Sequence, residues 1–122
     1  MRLSPARFAP LLLAAAVFCA PAAIADPPSY SLVLKDHKFE PAMLSIPAGQ
    51  KVVLHIKNED AMPAEFESYD LNREKIVVGH GEIVVYIGPL EAGKYEFFDD
   101  FHRDSTRGHI VAETQVSSSD SE

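Results

Sequence analysis

Apolar and polar residues alternate with a period of two along most of the chain after residue 29. Residues 30–34, 52–56 and 83–87 show this alternation over their whole length. It is the period of a β-strand with one buried face, and turn formers such as Pro47-Ala48-Gly49 and Gly88-Pro89 separate the segments. The pattern predicts eight strands, at residues 30–35, 43–47, 51–57, 64–69, 74–78, 82–87, 93–99 and 108–113.

Short strands at regular intervals with Gly and Pro turns indicate an all-β protein. We expect an antiparallel β-sandwich of about seven to eight strands that forms one domain. Only residues 70–75 are expected to hold a single helical turn, and no sequence repeat is present.

The first 25 residues follow a different pattern. Arg2 and Arg7 precede an apolar run at residues 8–20, and Ala23-Ile24-Ala25 follows it. A basic start, an apolar run and a small–x–small site are typical of a secretory signal peptide. We therefore expect cleavage after Ala25 and a periplasmic location.

These boundaries divide the chain into a signal peptide (1–25), a folded domain (26–116) and a polar tail (117–122) that we expect to be disordered. The apolar run of the leader is short for a bilayer span, and no later segment is longer. The sequence therefore predicts an exported protein that does not span the membrane.

Charge and cysteine content exclude several functions. Once Arg2 and Arg7 leave with the leader, nine Lys and Arg residues face eighteen Asp and Glu residues. A chain this acidic repels nucleic acid and suits a cationic ligand. Cys19 is the only cysteine and lies in the leader, so the domain has neither disulfides nor thiolate ligands.

The alternation also assigns acidic residues to faces of the strands. In the segment KYEFFD, Asp99 lies on the same side as Phe97, which places it at the core-facing end of its strand. In the segment AEFES, Phe66 is expected to point inward. Glu65 and Glu67 then share the outward face.

Two longer segments carry a resemblance to a known family. FEPAMLSIPAGQKVVLHIKNED resembles the opening of a cupredoxin domain, and GPLEAGKYEF is similar to the strand that leads into the copper loop of such domains. The resemblance covers about residues 30–113. It implies a cupredoxin-like Greek-key β-sandwich.

The blue-copper ligands of that family are largely missing. Such a site uses two histidines, a cysteine and a weakly bound methionine. By position, Ala64 replaces the first histidine, Asp99 the cysteine and Ser105 the methionine, so only His102 matches. Type 1 blue copper is therefore excluded.

The substitutions are similar to those of another branch. PAEFES followed by FFDDFH resembles the cupredoxin-like subunit of bacterial periplasmic ferrous-iron uptake systems and the cupredoxin domain of elemental-iron uptake lipoproteins. The resemblance implies that the protein handles Fe(II) and helps oxidise it to Fe(III). It also implies two partners, a periplasmic metal-binding protein and an oxidase-dependent iron permease.

The matching positions define a candidate metal site of carboxylates and one imidazole. Asp99 and His102 are predicted as the primary ligands and as the residues of any ferroxidase-like activity. Asp100, Glu65 and Glu67 would complete or orient the site. Such donors suit Fe(II), Mn(II) and Cu(II). A hard anionic site favours Fe(III) over Fe(II), which lowers the reduction potential of bound iron.

Several alternatives remain open from the sequence. His37, in DHKFEP, is a further candidate ligand if the strand ends cluster. Asp99 and Asp100 could instead be turn residues that accept backbone hydrogen bonds, with Arg103 or Arg107 neutralising them. The protein could also be a copper carrier or buffer without redox turnover, or an acidic interaction module that binds no metal.

Overall fold

The computed structural model describes residues 2–7, 9–20 and 25–116, and its secondary structure begins at Ser29. These described residues contain nine strands and one short 3-10 helix. The strands are β1 (Ser29–Lys35), β2 (Lys38–Glu40), β3 (Met43–Pro47), β4 (Val52–Asn58), β5 (Ala64–Ser68), β6 (Arg73–Val77), β7 (Glu82–Ile87), β8 (Gly93–Asp99) and β9 (Arg107–Glu113); the 3-10 helix spans Asp100–His102.

The strands form two sheets that pack face to face. One sheet has the order β2-β1-β4-β7 and the other the order β3-β9-β8-β5-β6. This confirms the all-β sandwich. The expected antiparallel arrangement is wrong in part, because β1 pairs with β4 and β3 with β9 in parallel. A period of two shows which residues are buried, but it carries no information on strand direction.

All eight predicted strands are present, each within one residue of its expected bounds. The ninth, β2, was missed because three residues are too few for a visible alternation. The helical turn expected at 70–75 is wrong: a turn at 69–72 leads directly into β6. The helical turn lies instead at the 3-10 helix, immediately after β8.

The core between the sheets is aromatic at the end where β8 finishes. The ring of Phe97 lies 5.0 Å from that of Phe39 and 5.5 Å from that of Phe66, measured between centroids. All three side chains are buried. Gly108 on β9 lies against Phe97, because a Cβ at this position would stand 2.4 Å from the Phe97 Cζ atom.

The signal peptide and the disordered tail remain predictions. Residues 21–24, within the expected cleavage region, and the tail at 117–122 lie outside the described residues. Within the part of the chain that the structure describes, no helix is long and apolar enough to cross a membrane.

Candidate metal centre

Asp99 ends β8 and caps the 3-10 helix. Its Oδ1 accepts hydrogen bonds from the backbone N–H groups of Glu65 and Phe101, both at 3.0 Å. Its Oδ2 lies 3.1 Å from Nδ1 of His102. The residue is only 1% exposed, as its predicted core-facing position requires. Both carboxylate oxygens of Asp99 are thus directed at groups of the protein, as expected for a turn residue.

His102 is the one histidine that occupies a cupredoxin ligand position. Because Nδ1 faces Asp99, the nitrogen left for an external ligand is Nε2, and the side chain is 27% exposed. A carboxylate behind an imidazole fixes its tautomer and orientation, as in many metal sites. The ring of His37 packs against that of His102 with a centroid distance of 4.3 Å, so the strand ends do bring these two residues together.

The position of His37 depends on an unusual backbone. Asp36 and His37 form the turn between β1 and β2, and both have positive φ angles, 51° and 58°. Asp60 accepts hydrogen bonds from both of their N–H groups, at 2.8 and 3.0 Å. The hydroxyl of buried Thr106 donates to the His37 carbonyl at 2.6 Å. Non-glycine residues keep such angles only where the surroundings hold them.

A second group of predicted residues lies on the outer face of the five-stranded sheet. Phe66 points into the core, so Glu65 and Glu67 project outward from β5 as predicted. Asp100 reaches them from the 3-10 helix. Carboxylate oxygens of Glu65, Glu67 and Asp100 all lie within 4.8 Å of one another. We call these three residues the carboxylate cluster.

Glu74 borders this cluster, and the sequence reasoning missed it. It lies directly opposite Glu67 in the antiparallel pair of β5 and β6. A hydrogen bond with Glu74, followed by burial, raises the pKa of Glu65 to about 7. The signal that could have found Glu74 was the four-residue turn at 69–72, which sets this register once β5 and β6 are taken as a hairpin.

Little positive charge from β6 reaches the cluster. Arg73 and Lys75 alternate with Glu74 and donate instead to carbonyl oxygens of β7, at 3.0 and 3.3 Å. Burial, and then the neighbouring charges of Asp100 and Glu74, raise the pKa of Glu67. The cluster is therefore a place where negative charge is crowded and a cation would be stabilised.

Arg103 is the cation that contacts the cluster in the structure. Its Nε donates to Asp100 at 3.1 Å, and its Nη2 donates to the Tyr69 hydroxyl at 2.9 Å. Its guanidinium also lies over the ring of Phe98, 5.0 Å from the centroid. The neutralisation of Asp100 by an arginine, one of the alternatives left open by the sequence, is therefore present in the fold.

The six predicted site residues thus form two groups, one that contains Asp100 and one that contains Asp99. Glu65, Glu67 and Asp100 form the carboxylate cluster, while Asp99, His102 and His37 form a hydrogen-bonded and stacked group. Among the described residues, the second group does not join the first within metal-ligand spacing. The predicted single site is therefore two neighbouring sets of donors in this structure.

Comparison with known proteins identifies the family. Residues 8–112 match the family model described as the cupredoxin-like domain. The chain belongs to the cupredoxin-like domain family. This confirms the resemblance at the level of the family, and the ferrous-iron branch remains a prediction.

The chain is also similar to one curated protein and to several solved structures. An uncharacterized protein of Rickettsia prowazekii is 48% identical over 80 residues, which cover 66% of this chain and 64% of that protein. The chain thus spans less than two thirds of this curated relative. Auracyanin A, a blue copper protein of Chloroflexus aurantiacus, superposes with a TM-score of 0.63 at 16% identity over 72% of this chain and 100% of its own.

The metal-binding domain of the Cu(I)-exporting ATPase CopA from Streptococcus pneumoniae, solved with Cu(I), is a further neighbour of this cupredoxin-like chain. Its TM-score is 0.57 at 15% identity, over 70% of this chain and 84% of its own. At such identities the likeness of both solved structures shows the fold alone.

Copper of the blue type does not fit the residues of this cupredoxin-like domain. Ala64 is a buried methyl group where a histidine is needed, and Ser105 is an exposed hydroxyl where a methionine is needed. Asp99 replaces the thiolate, and its oxygens already accept three hydrogen bonds. The available donors are carboxylate oxygens and imidazole nitrogens, which suit hard and borderline cations.

Proposed function

We propose that this cupredoxin-like protein is a periplasmic metal-binding component of a ferrous-iron uptake system, which binds Fe(II) and promotes its oxidation to Fe(III) for an iron permease. The observation that carries the proposal is the carboxylate cluster, whose three oxygens lie within 4.8 Å of one another on the open face of a sheet. Glu65, Glu67 and Asp100 are three of the residues that the family resemblance implies for the metal site.

The chemistry of the cluster supports iron as the cargo. Carboxylates are hard, anionic donors. A hydrogen bond with Glu74 raises the pKa of Glu65 and burial raises that of Glu67, and neighbouring negative charges add to both effects. A bound cation offsets this repulsion among the carboxylates. The electrostatic stabilisation increases with the charge of the cation, so the cluster stabilises Fe(III) more than Fe(II). Bound Fe(II) is then more readily oxidised. Oxidation removes one electron from each Fe(II) ion. With dioxygen as the acceptor, four Fe(II) ions oxidised in turn and four protons from solvent reduce one dioxygen to two water molecules.

Asp99 and His102 keep a part in the proposal. Asp99 orients His102 through the contact between its Oδ2 and Nδ1, and the Nε2 atom of His102 is the imidazole nitrogen offered to a metal. In this proposal Asp99 acts behind the ligands, whereas the sequence predicts it as a ligand of the metal itself. The partners of the proposed system, a periplasmic metal-binding protein and an oxidase-dependent permease, rest on the family resemblance.

The proposal is tested by following Fe(II) loss in air with the wild type and with Glu67→Gln and Asp100→Asn. Each variant removes one charge from the cluster, and we expect the protein-dependent rate to fall by about tenfold, as for changes around other metal sites. Glu82→Gln is the matched control, because Glu82 is an exposed glutamate on the other sheet that contacts His55. Equal rates for all four proteins, matching buffer alone, would refute the redox activity.

A copper carrier without redox turnover is the second candidate, and the stacked histidines favour it. Two adjacent imidazoles at an accessible surface suit Cu(II) better than hard cations. This candidate predicts nitrogen hyperfine coupling in the electron paramagnetic resonance spectrum of added Cu(II), lost in His102→Ala and reduced in His37→Ala. It also predicts no effect of either substitution on Fe(II) oxidation.

A further inference from the structure

Arg103 contacts the carboxylate cluster and an aromatic pair outside it. Its Nε and Nη2 atoms both donate to Asp100. The same Nη2 atom also donates to the Tyr69 hydroxyl, and the guanidinium lies over the Phe98 ring. The side chain is about half exposed (49%), so it is free to change its contacts without disturbing the core.

We infer that Arg103 is the resident counter-cation of the carboxylate cluster, which an incoming metal ion must displace from Asp100. This inference rests on the proposed function, since it concerns the regulation of the same site. Displacement leaves the aromatic contacts with Tyr69 and Phe98 in place, so the guanidinium retains a defined position beside the loaded cluster.

Such a counter-cation has two effects on the site. In the absence of metal its positive charge, held against Asp100, neutralises part of the crowded negative charge. In the presence of metal its positive charge repels the bound ion. The repulsion is proportional to the charge of the ion. A site that must pass its ion to a partner benefits from a repulsion that prevents retention.

Arg107 provides a matched control within the same surface. Its guanidinium also lies over the Phe98 ring, at 5.3 Å, and it also forms an ion pair, with Glu96 at 2.8 Å. Each of the two arginines therefore lies over the Phe98 ring and forms an ion pair with a carboxylate of its own. They differ in that the carboxylate partner of Arg103 belongs to the cluster, whereas Arg107 donates in addition to the Arg103 carbonyl oxygen at 3.0 Å.

The experiment measures the affinity of the full chain for Mn(II), an air-stable cation that prefers oxygen ligands. We expect Arg103→Gln to bind Mn(II) about tenfold more tightly than the wild type, because a nearby positive charge is removed. Arg103→Lys keeps the charge and should bind like the wild type. Arg107→Gln should stay within about twofold of the wild type, as expected for an exposed pair outside the site.

Arg103→Met is measured alongside, because it keeps the apolar contact with Phe98 if the glutamine variant is unstable. An affinity of the Gln and Met variants equal to that of Arg107→Gln would overturn the role of Arg103 and leave the proposed function standing. Absence of Mn(II) binding by the wild type and by every variant would overturn the proposed function together with this inference.

Discussion

Asp99 stands where blue-copper cupredoxins have a cysteine, and this difference changes the role of the residue. A thiolate there would bind a metal, whereas the carboxylate accepts hydrogen bonds from two backbone N–H groups and contacts one imidazole. The result is a buried group that fixes the start of the 3-10 helix and the orientation of His102. Its burial was predictable from the alternation. Its hydrogen bonds were not, because they depend on a helix that the sequence pattern does not show.

At His37 the position of the side chain is gained at the expense of backbone stability. A two-residue turn between antiparallel strands prefers glycine at its second position, where His37 has a φ of 58°. A histidine there costs backbone energy and brings an imidazole beside His102. Nothing in the period-two pattern could reveal this, since the turn angles follow from the pairing of β1 with the short strand β2.

We therefore predict that His37→Gly will be more stable than His37→Ala by about 1 kcal/mol, because only glycine adopts this angle without strain. Urea unfolding of the two variants measures the difference. The comparison cancels the loss of stacking on His102, which both variants share. Equal stability, or a more stable alanine variant, would contradict the backbone strain that we assign to this turn.

At the scale of elements, the carboxylate cluster is built where β5 lies beside the end of β8 and the 3-10 helix that follows it. The outward position of Glu65 and Glu67 followed from the alternation within β5 and was correct. The proximity of Asp100 and Glu74 was beyond the sequence pattern, because it depends on the register of β5 with β6 and on the direction in which the chain leaves β8. The period-two pattern thus predicts the face of the strand on which a residue lies. Which residues of different strands become neighbours depends on how the strands pair.

Gly108 sets the distance between β9 and the aromatic core. A Cβ here would lie 2.4 Å from the Phe97 ring and 2.7 Å from the Ala42 carbonyl oxygen. We predict that Gly108→Ala destabilises the domain by at least about 2 kcal/mol, as expected for overpacking.

Gly93→Ala at the start of β8 is the matched control for this prediction. An added methyl there meets its nearest atom at 3.8 Å, so we expect a change of less than about 1 kcal/mol. Chemical denaturation gives both values. If Gly108→Ala is as stable as Gly93→Ala, then β9 is able to shift away from Phe97, and the close packing described above would not be a constraint.

At the scale of the whole molecule, excess negative charge is concentrated on one sheet surface. The cluster and Glu74 crowd four carboxyl groups near one arginine, although the chain as a whole carries eleven Lys and Arg residues. This concentration couples folding to pH. The pKa of Glu65 is about 7 in the folded protein against an ordinary 4.5, so the folded state binds more protons between these values.

We predict that the metal-free protein gains stability as the pH falls from 8 to 5, because the hydrogen bond with Glu74, followed by burial, raises the pKa of Glu65 in the folded state above its unfolded value. Below this window the trend reverses: the backbone N–H of His37 lowers the pKa of Asp60, whose contribution is lost on acidification. The expected rise in melting temperature between pH 8 and pH 5 is about 3 °C.

Glu74→Gln removes the charge and weakens the hydrogen bond that raise the pKa of Glu65, so it should flatten this pH dependence. Glu82→Gln, on the other sheet, should leave it unchanged. Melting curves of the three proteins across the pH range provide the measurement. A wild-type protein whose stability falls steadily from pH 8 to pH 5 would show that the cluster does not control this trend.

The position of β9 has a consequence for the order of events during synthesis. This last strand lies between β3 and β8, and the backbone N–H of Asp99 donates to the carbonyl of Thr106 just before it. A nascent chain that still lacks residues 106–113 has neither the partner of β3 nor the contact that closes the loop after β8. We therefore expect the loop that carries Asp100 to be fixed only when β9 pairs, so the carboxylate cluster is complete only once the last strand of the domain is in place.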